Sequence, residues 1–133
     1  MKLFEVAARR FSVRAVYDED GLCQVMKKMV RVSREHQELA QQMAALLYEE
    51  VPDKGPPEDP WRFSSLYEGV IYQLKAVEFI TKDDRLGLRI ACFFDSESTI
   101  ICTNAFYKKG TTPSGVVSLV QRTVNSLAYG GSL

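Results

Sequence analysis

The chain has 133 residues, 46% of them hydrophobic, and its 17 basic residues balance 17 acidic ones. That length and apolar content suit one domain, residues 1–133, with a core of its own. Zero net charge argues against a generic nucleic-acid binder and leaves room for a local basic patch.

Residues 2–17 are rich in Phe, Val and Tyr and read as one long strand or a short hairpin, interrupted by Arg9, Arg10 and Arg14. Asp18-Glu19-Asp20-Gly21 breaks the strand and supplies negative charge for a helix start. Leu22, Val25, Met26, Met29 and Val30 then repeat with helical spacing, and Leu39, Met43, Leu46 and Leu47 form a second stripe. A single helix through both stripes would be roughly 40 Å long, more than a domain of this size buries. The expected arrangement is therefore a helical hairpin near residues 20–49, broken at Val32-Ser33 with Ser33 as the second cap.

The proline-rich segment from Val51 to Pro60 is expected to be a surface loop, because proline removes a backbone donor and fixes φ. Strands are expected at about 70–80, 86–94 and 99–107. Their short connections, Thr81 to Arg85 and Asp95 to Ser98, make them antiparallel neighbours. Pro113 should open a last helix with Val116, Val117, Val120 and Val124 as its apolar stripe, and the tail after Tyr129 should fray. The predicted class is α+β: an antiparallel sheet of about four strands, an N-terminal helical hairpin and a C-terminal helix, with the helices mainly on one face.

Cys23, Cys92 and Cys102 lack metal-ligand spacing and read as buried thiols, Cys92 and Cys102 facing each other on consecutive strands. His36 is the only histidine, so a histidine metal cluster is impossible. No Walker loop or Rossmann glycine pattern occurs, and no metal or cofactor is expected. No apolar run reaches membrane-helix length, and the expected setting is reducing and cytoplasmic, without a membrane partner. Trp61, Tyr67 and Tyr72 could stack on bases, although core packing is the commoner fate of aromatics.

Strand alternation puts Lys75 and Arg89 on one face of the sheet. Pairing across a loop centred on Asp83 would set Lys75 opposite Ala91 and Val77 opposite Arg89. Ala91 and Ala105 are small, so that face could be concave, and Lys108 and Lys109 lie just beyond the adjacent strand end. Four cations so placed suit a phosphate-bearing partner.

Three segments, Gly69-Val-Ile-Tyr-Gln-Leu-Lys75, Leu88-Arg-Ile-Ala-Cys-Phe-Phe94 and Asn104-Ala-Phe-Tyr-Lys-Lys-Gly-Thr-Thr-Pro113, carry a family likeness. In order and spacing they resemble the RelE/ParE toxin superfamily, in particular its phage-derived, HigB-like branch. The resemblance is best over residues 66–124. It implies a RelE-like fold and the toxin component of a type II toxin–antitoxin system, a ribosome-dependent endoribonuclease that cuts messenger RNA without a metal. It implies the ribosome and mRNA as partners, with an antitoxin, a helix-turn-helix protein, covering the basic face. Carried over by position, Lys75, Arg89, Lys108 and Lys109 would be catalytic, and Tyr107, Asn104 and Arg62 would bind substrate. The RNA 2′-hydroxyl would attack the adjacent phosphate in line, with Arg89 and Lys75 clamping its oxygens and Lys108 or Lys109 as base. Asn104 stands where the family has histidine, and a third lysine before Thr112-Pro113 is missing. An amide exchanges no proton near neutral pH. The second reading is therefore a non-catalytic binding protein on the same fold, a ParE-like gyrase inhibitor or an inactive phage relative.

Overall fold

The computed structural model describes residues 2–18, 20–79, 85–108 and 115–128. Its elements are β1 (Lys2–Ala8), β2 (Ser12–Tyr17), α1 (Gln24–Glu35), α2 (Gln37–Ala45), a π-helical stretch (Leu46–Glu50), α3 (Val51–Lys54), β3 (Phe63–Tyr67), β4 (Ile71–Phe79), β5 (Arg85–Ser96), β6 (Thr99–Lys108) and α4 (Val116–Ala128). The strands form one six-stranded sheet in the order β1-β2-β6-β5-β4-β3. All neighbours are antiparallel except β2 and β6, which run parallel.

The α+β class holds, and the four-stranded antiparallel sheet is corrected to a mixed one of six. Residues 2–17 are a hairpin, whose second strand lies parallel to β6 over Ser12–Ala15. A parallel neighbour needs a long crossover, and no local pattern in β2 announces one. The strand β3 escaped because Ser64-Ser65 resembles turn sequence. It pairs with β4 through a turn in which Glu68 and Gly69 both take positive φ, 47° and 66°.

The helical hairpin is present, with its break at His36 and not at Val32-Ser33. His36 leaves the helical region at φ −142° and ψ 75°, while the Ser33 hydroxyl donates back to the Val30 carbonyl at 2.7 Å. Ser33 is thus an interior helix residue with its side chain satisfied locally. Tyr48 reaches Met26 across the pair, its hydroxyl 3.7 Å from the sulfur.

The expected loop from Val51 is a helix as far as Lys54, with Pro52 inside it. Proline cannot donate to the carbonyl four residues back, here that of Tyr48. Arg9 meets that need: its Nη2 donates to the Tyr48 and Glu49 carbonyls at 2.7 and 3.1 Å, and it pairs with Asp53. The helix widens to π geometry over the five residues before Val51. Chain exit falls at Gly55, where φ is 84° and an added Cβ would lie 2.8 Å from the Phe11 ring.

Alternation sorts the sheet into two faces. Val13, Ala15, Leu74, Leu88, Ile90, Cys92, Ile100 and Cys102 point to the hairpin and form the main core with Val25, Leu39, Met43 and Leu46. Two glutamines fasten this layer by imitating a neighbouring strand. Gln24 donates to the Ala105 carbonyl at 3.0 Å and accepts from its N–H at 2.6 Å. Gln42 does the same for Val77 at 2.8 and 3.2 Å. On the other face, Val116, Val117, Val120 and Val124 of α4 cover Ile71, Ala91 and Phe106, so the helices are divided between the faces. Pro113 and residues 80–84 lie outside the described residues, as does the tail after Ala128.

Cys92 and Cys102 do face each other in register, as buried free thiols. Burial pushes Cys92 well up and Cys102 up to about 12.

Candidate functional site

The α4 face carries a polar strip. Lys75 pairs directly with Arg89, and Arg89 with Phe106 on the next strand. The register is two residues from the one expected, since Lys75 opposes Arg89 and not Ala91. A shift of two preserves the face, so the two cations still share it. The next row inward is Gln73, Ala91 and Asn104.

Like charges directly opposite one another in a sheet repel. Lys75 is drawn toward the outer edge, its Nζ donating to the Pro60 carbonyl at 2.5 Å. Its backbone N–H donates to the Arg62 carbonyl at 2.8 Å, so the turn before β3 and the start of the cationic row are joined. Arg89 is half-buried.

The amide row is short of donors. Gln73 is 5% exposed, its Nε2 3.4 Å from the Ser64 hydroxyl. Its Oε1 and the Asn104 Oδ1 are both buried without a hydrogen-bond partner. Unmet buried acceptors cost free energy, and in native proteins such groups call for an explanation. Asn104 lies at an irregularity where the pairing slips between Ala91 and Cys92. The Thr103 hydroxyl donates to the Ala91 carbonyl at 3.3 Å beside it. A bulge of this kind re-aims side chains at the rim of a site.

The remaining expected site residues divide. Lys108 is placed by its backbone, opposite Gly87 beside the cationic row, and Lys109 lies outside the described residues. Tyr107 is on the wrong face for a partner of Arg89, because one step along a strand reverses the side chain. It packs against the main core, with the Lys28 ammonium 4.3 Å from its ring centroid and the His36 ring edge-on at 6.0 Å. Burial raises its phenol, helped by Glu35 and opposed by Arg31. Arg62 is occupied by Glu50: its Nη1 donates to Oε1 at 2.6 Å and its Nη2 to the other oxygen. The guanidinium in turn holds the Glu50 carboxyl below its ordinary value.

One cationic group escaped the sequence reading. Lys27, Lys28, Arg31 and Arg34 of α1 line a concavity of about 590 Å³, with Glu35 at its end. Their spacing, four from Lys27 to Arg31 and three from Arg31 to Arg34, places them on one helix stripe and could have revealed them. Lys28 and Tyr107 connect this stripe to the strand that ends in Lys108.

Among the described residues no group of three His, Cys, Asp or Glu side chains is placed to hold a metal, and no helix is long and apolar enough to cross a membrane. Set against protein-family models, curated proteins and solved structures, the chain matches none.

Proposed function

We propose that this chain is an RNA-directed toxin, a ribosome-dependent messenger RNA endoribonuclease held in check by an antitoxin that covers the cationic face. The observation that carries the reading is the direct opposition of Lys75 and Arg89 on a sheet face bordered by amides. A phosphate placed there would meet two cations on one face. The guanidinium fork suits the oxygens of a phosphodiester, and the ammonium supplies a second charge. Both stabilise the charge that builds on phosphate oxygens when a neighbouring 2′-hydroxyl attacks. The general base is assigned to Lys108 or Lys109 by the resemblance.

A specific observation favours the second reading. Asn104 occupies the position of the family histidine with its Oδ1 buried, and Tyr107 lies on the opposite face. A non-catalytic binder needs neither group to exchange a proton. Induction of the gene with mapping of messenger RNA 5′ ends separates the two. New 5′ ends within translated messages support the nuclease. Full growth arrest with intact messages overturns it in favour of an inhibitor such as a gyrase-directed one. No arrest in the absence of antitoxin identifies an inactive relative.

A further inference from the structure

Trp61 is the only tryptophan of the chain, and it is 72% exposed. Tryptophan is on average a well-buried residue, and neither the core nor the ion pairs described above employ this one. Its backbone is nevertheless firmly held. The Trp61 N–H donates to the Asp59 carboxylate at 2.9 Å, and the N–H groups of Arg62 and Phe63 both donate to the Asp59 carbonyl at 3.0 Å. Pro60 precedes it, and the next residue, Arg62, is tied by its carbonyl to the backbone of Lys75. An exposed ring on a fixed turn presents a flat surface whose backbone anchor is already ordered.

That ring stands at a groove of about 390 Å³ whose lining includes Leu46, Arg62, Lys75 and Val77. Lys75 belongs to two places at once. It lines the tryptophan groove, and its cross-strand partner is Arg89. Tyr67 and Tyr72 serve less well as base platforms. Tyr72 is stacked on Phe63 with ring centroids 5.1 Å apart, and Tyr67 lines a separate groove with Ile71 and Val124.

We infer that the Trp61 groove is a nucleotide subsite, in which an unpaired base of single-stranded RNA stacks on the indole while the adjoining phosphate sits at Lys75 and Arg89. This rests on the RNA reading above and adds to it the group that receives the base. Stacking on an aromatic face tolerates any base, so the subsite contributes affinity and register more than sequence choice.

The single tryptophan makes the test direct. The full chain is titrated with a labelled, uncleavable 2′-O-methyl RNA hexamer, following indole emission and label anisotropy together, and again with a hexamer carrying abasic positions. Emission should be quenched with the same midpoint as the anisotropy change, and the abasic hexamer should bind more weakly with little quenching. Trp61→Ala should weaken binding by about fivefold to a hundredfold, and Trp61→Phe by less. Circular dichroism of both variants checks folding. If the hexamer binds in an Arg89-dependent way while emission and the Trp61→Ala affinity stay unchanged, the subsite is overturned and the RNA reading stands. That result would leave Trp61 as an anchor for a protein partner. Equal quenching by the abasic hexamer would also overturn stacking. No binding of any hexamer would overturn the subsite, while the ribosome-dependent reading stands or falls separately on the 5′-end mapping.

Discussion

The two faces of the sheet are built from alternate residues of the same strands, yet they are made for different ends. Facing the hairpin, Leu74, Leu88, Ile90 and Ile100 are fully buried against Leu39, Met43 and Leu46. Backbone groups at the free strand margins are met by Gln24 and Gln42. Facing α4, apolar packing falls in two smaller patches, one around Ala91 and Phe106 and one of Val16, Phe93 and Ile101. Beside them stand Lys75, Arg89, Gln73 and Asn104, with acceptors left unmet. The main apolar core lies on one side and the paired cations and amides on the other, so neighbouring residues such as Arg89 and Ile90 should answer mutation differently.

The largest effect expected from breaking that division is at the packed face. Ile90→Ala should cost about 2–5 kcal/mol, through lost transfer energy and the cavity left behind, read as a lower urea midpoint. A loss below about 1 kcal/mol would mean the hairpin layer is far looser than its burial indicates.

One residue away, Arg89→Ala should change stability by no more than about 1 kcal/mol, since a half-buried stem on the open face adds little core packing. If the chain is an active nuclease, the same variant should slow cleavage about tenfold to a hundredfold, from a charge-assisted contact worth roughly 1.5–3 kcal/mol. Lys108→Ala combined with Lys109→Ala should do at least as much. Growth rescue and 5′-end mapping give the activity, and urea unfolding gives the stability. A variant that unfolds as readily as Ile90→Ala would erase the contrast between the faces.

Gln24→Ala sharpens the comparison from the backbone side. It strands the N–H and carbonyl of Ala105 at once and should cost about 1–3 kcal/mol. Gln42→Ala should act similarly at Val77, where water can reach the sheet edge more readily, so its cost should be the smaller of the two.

The smallest effect lies at the rim. Arg62 lowers the Glu50 carboxyl from its ordinary value of 4.5. A carboxyl lowered by folding stabilises above its unfolded value and loses that contribution as pH falls through the folded one. The side chains are 40% and 32% exposed, so solvent screening holds the pair below about 1 kcal/mol. Glu50→Gln should therefore destabilise slightly at pH 7, and the difference from the native chain should vanish well below pH 4.5. A difference that persisted in acid would assign the loss to hydrogen-bond geometry instead of charge.

Much of this is legible in the sequence. The valine stripe of α4, the paired helical stripes, the three central strands and the common face of Lys75 and Arg89 all follow from side-chain periods of 3.6 and 2. Those periods are local and survive an error of two residues in register. What sequence could not supply was anything that depends on contact between distant segments. The parallel docking of β2 on β6, the helix carried past Pro52 by Arg9 and the division of helices between faces are such contacts. Tyr107 shows the limit at the site itself. Its place beside Lys108 suggested a role with the cations, but pleating turns it under α1, where Lys28 and His36 enclose it. The residue types and their spacing determined which charged and polar groups the strands and helices carry. Only the tertiary structure decided which of those groups stand together, because side chains adjacent along a strand point to opposite sides and those far apart in the chain are brought to one surface.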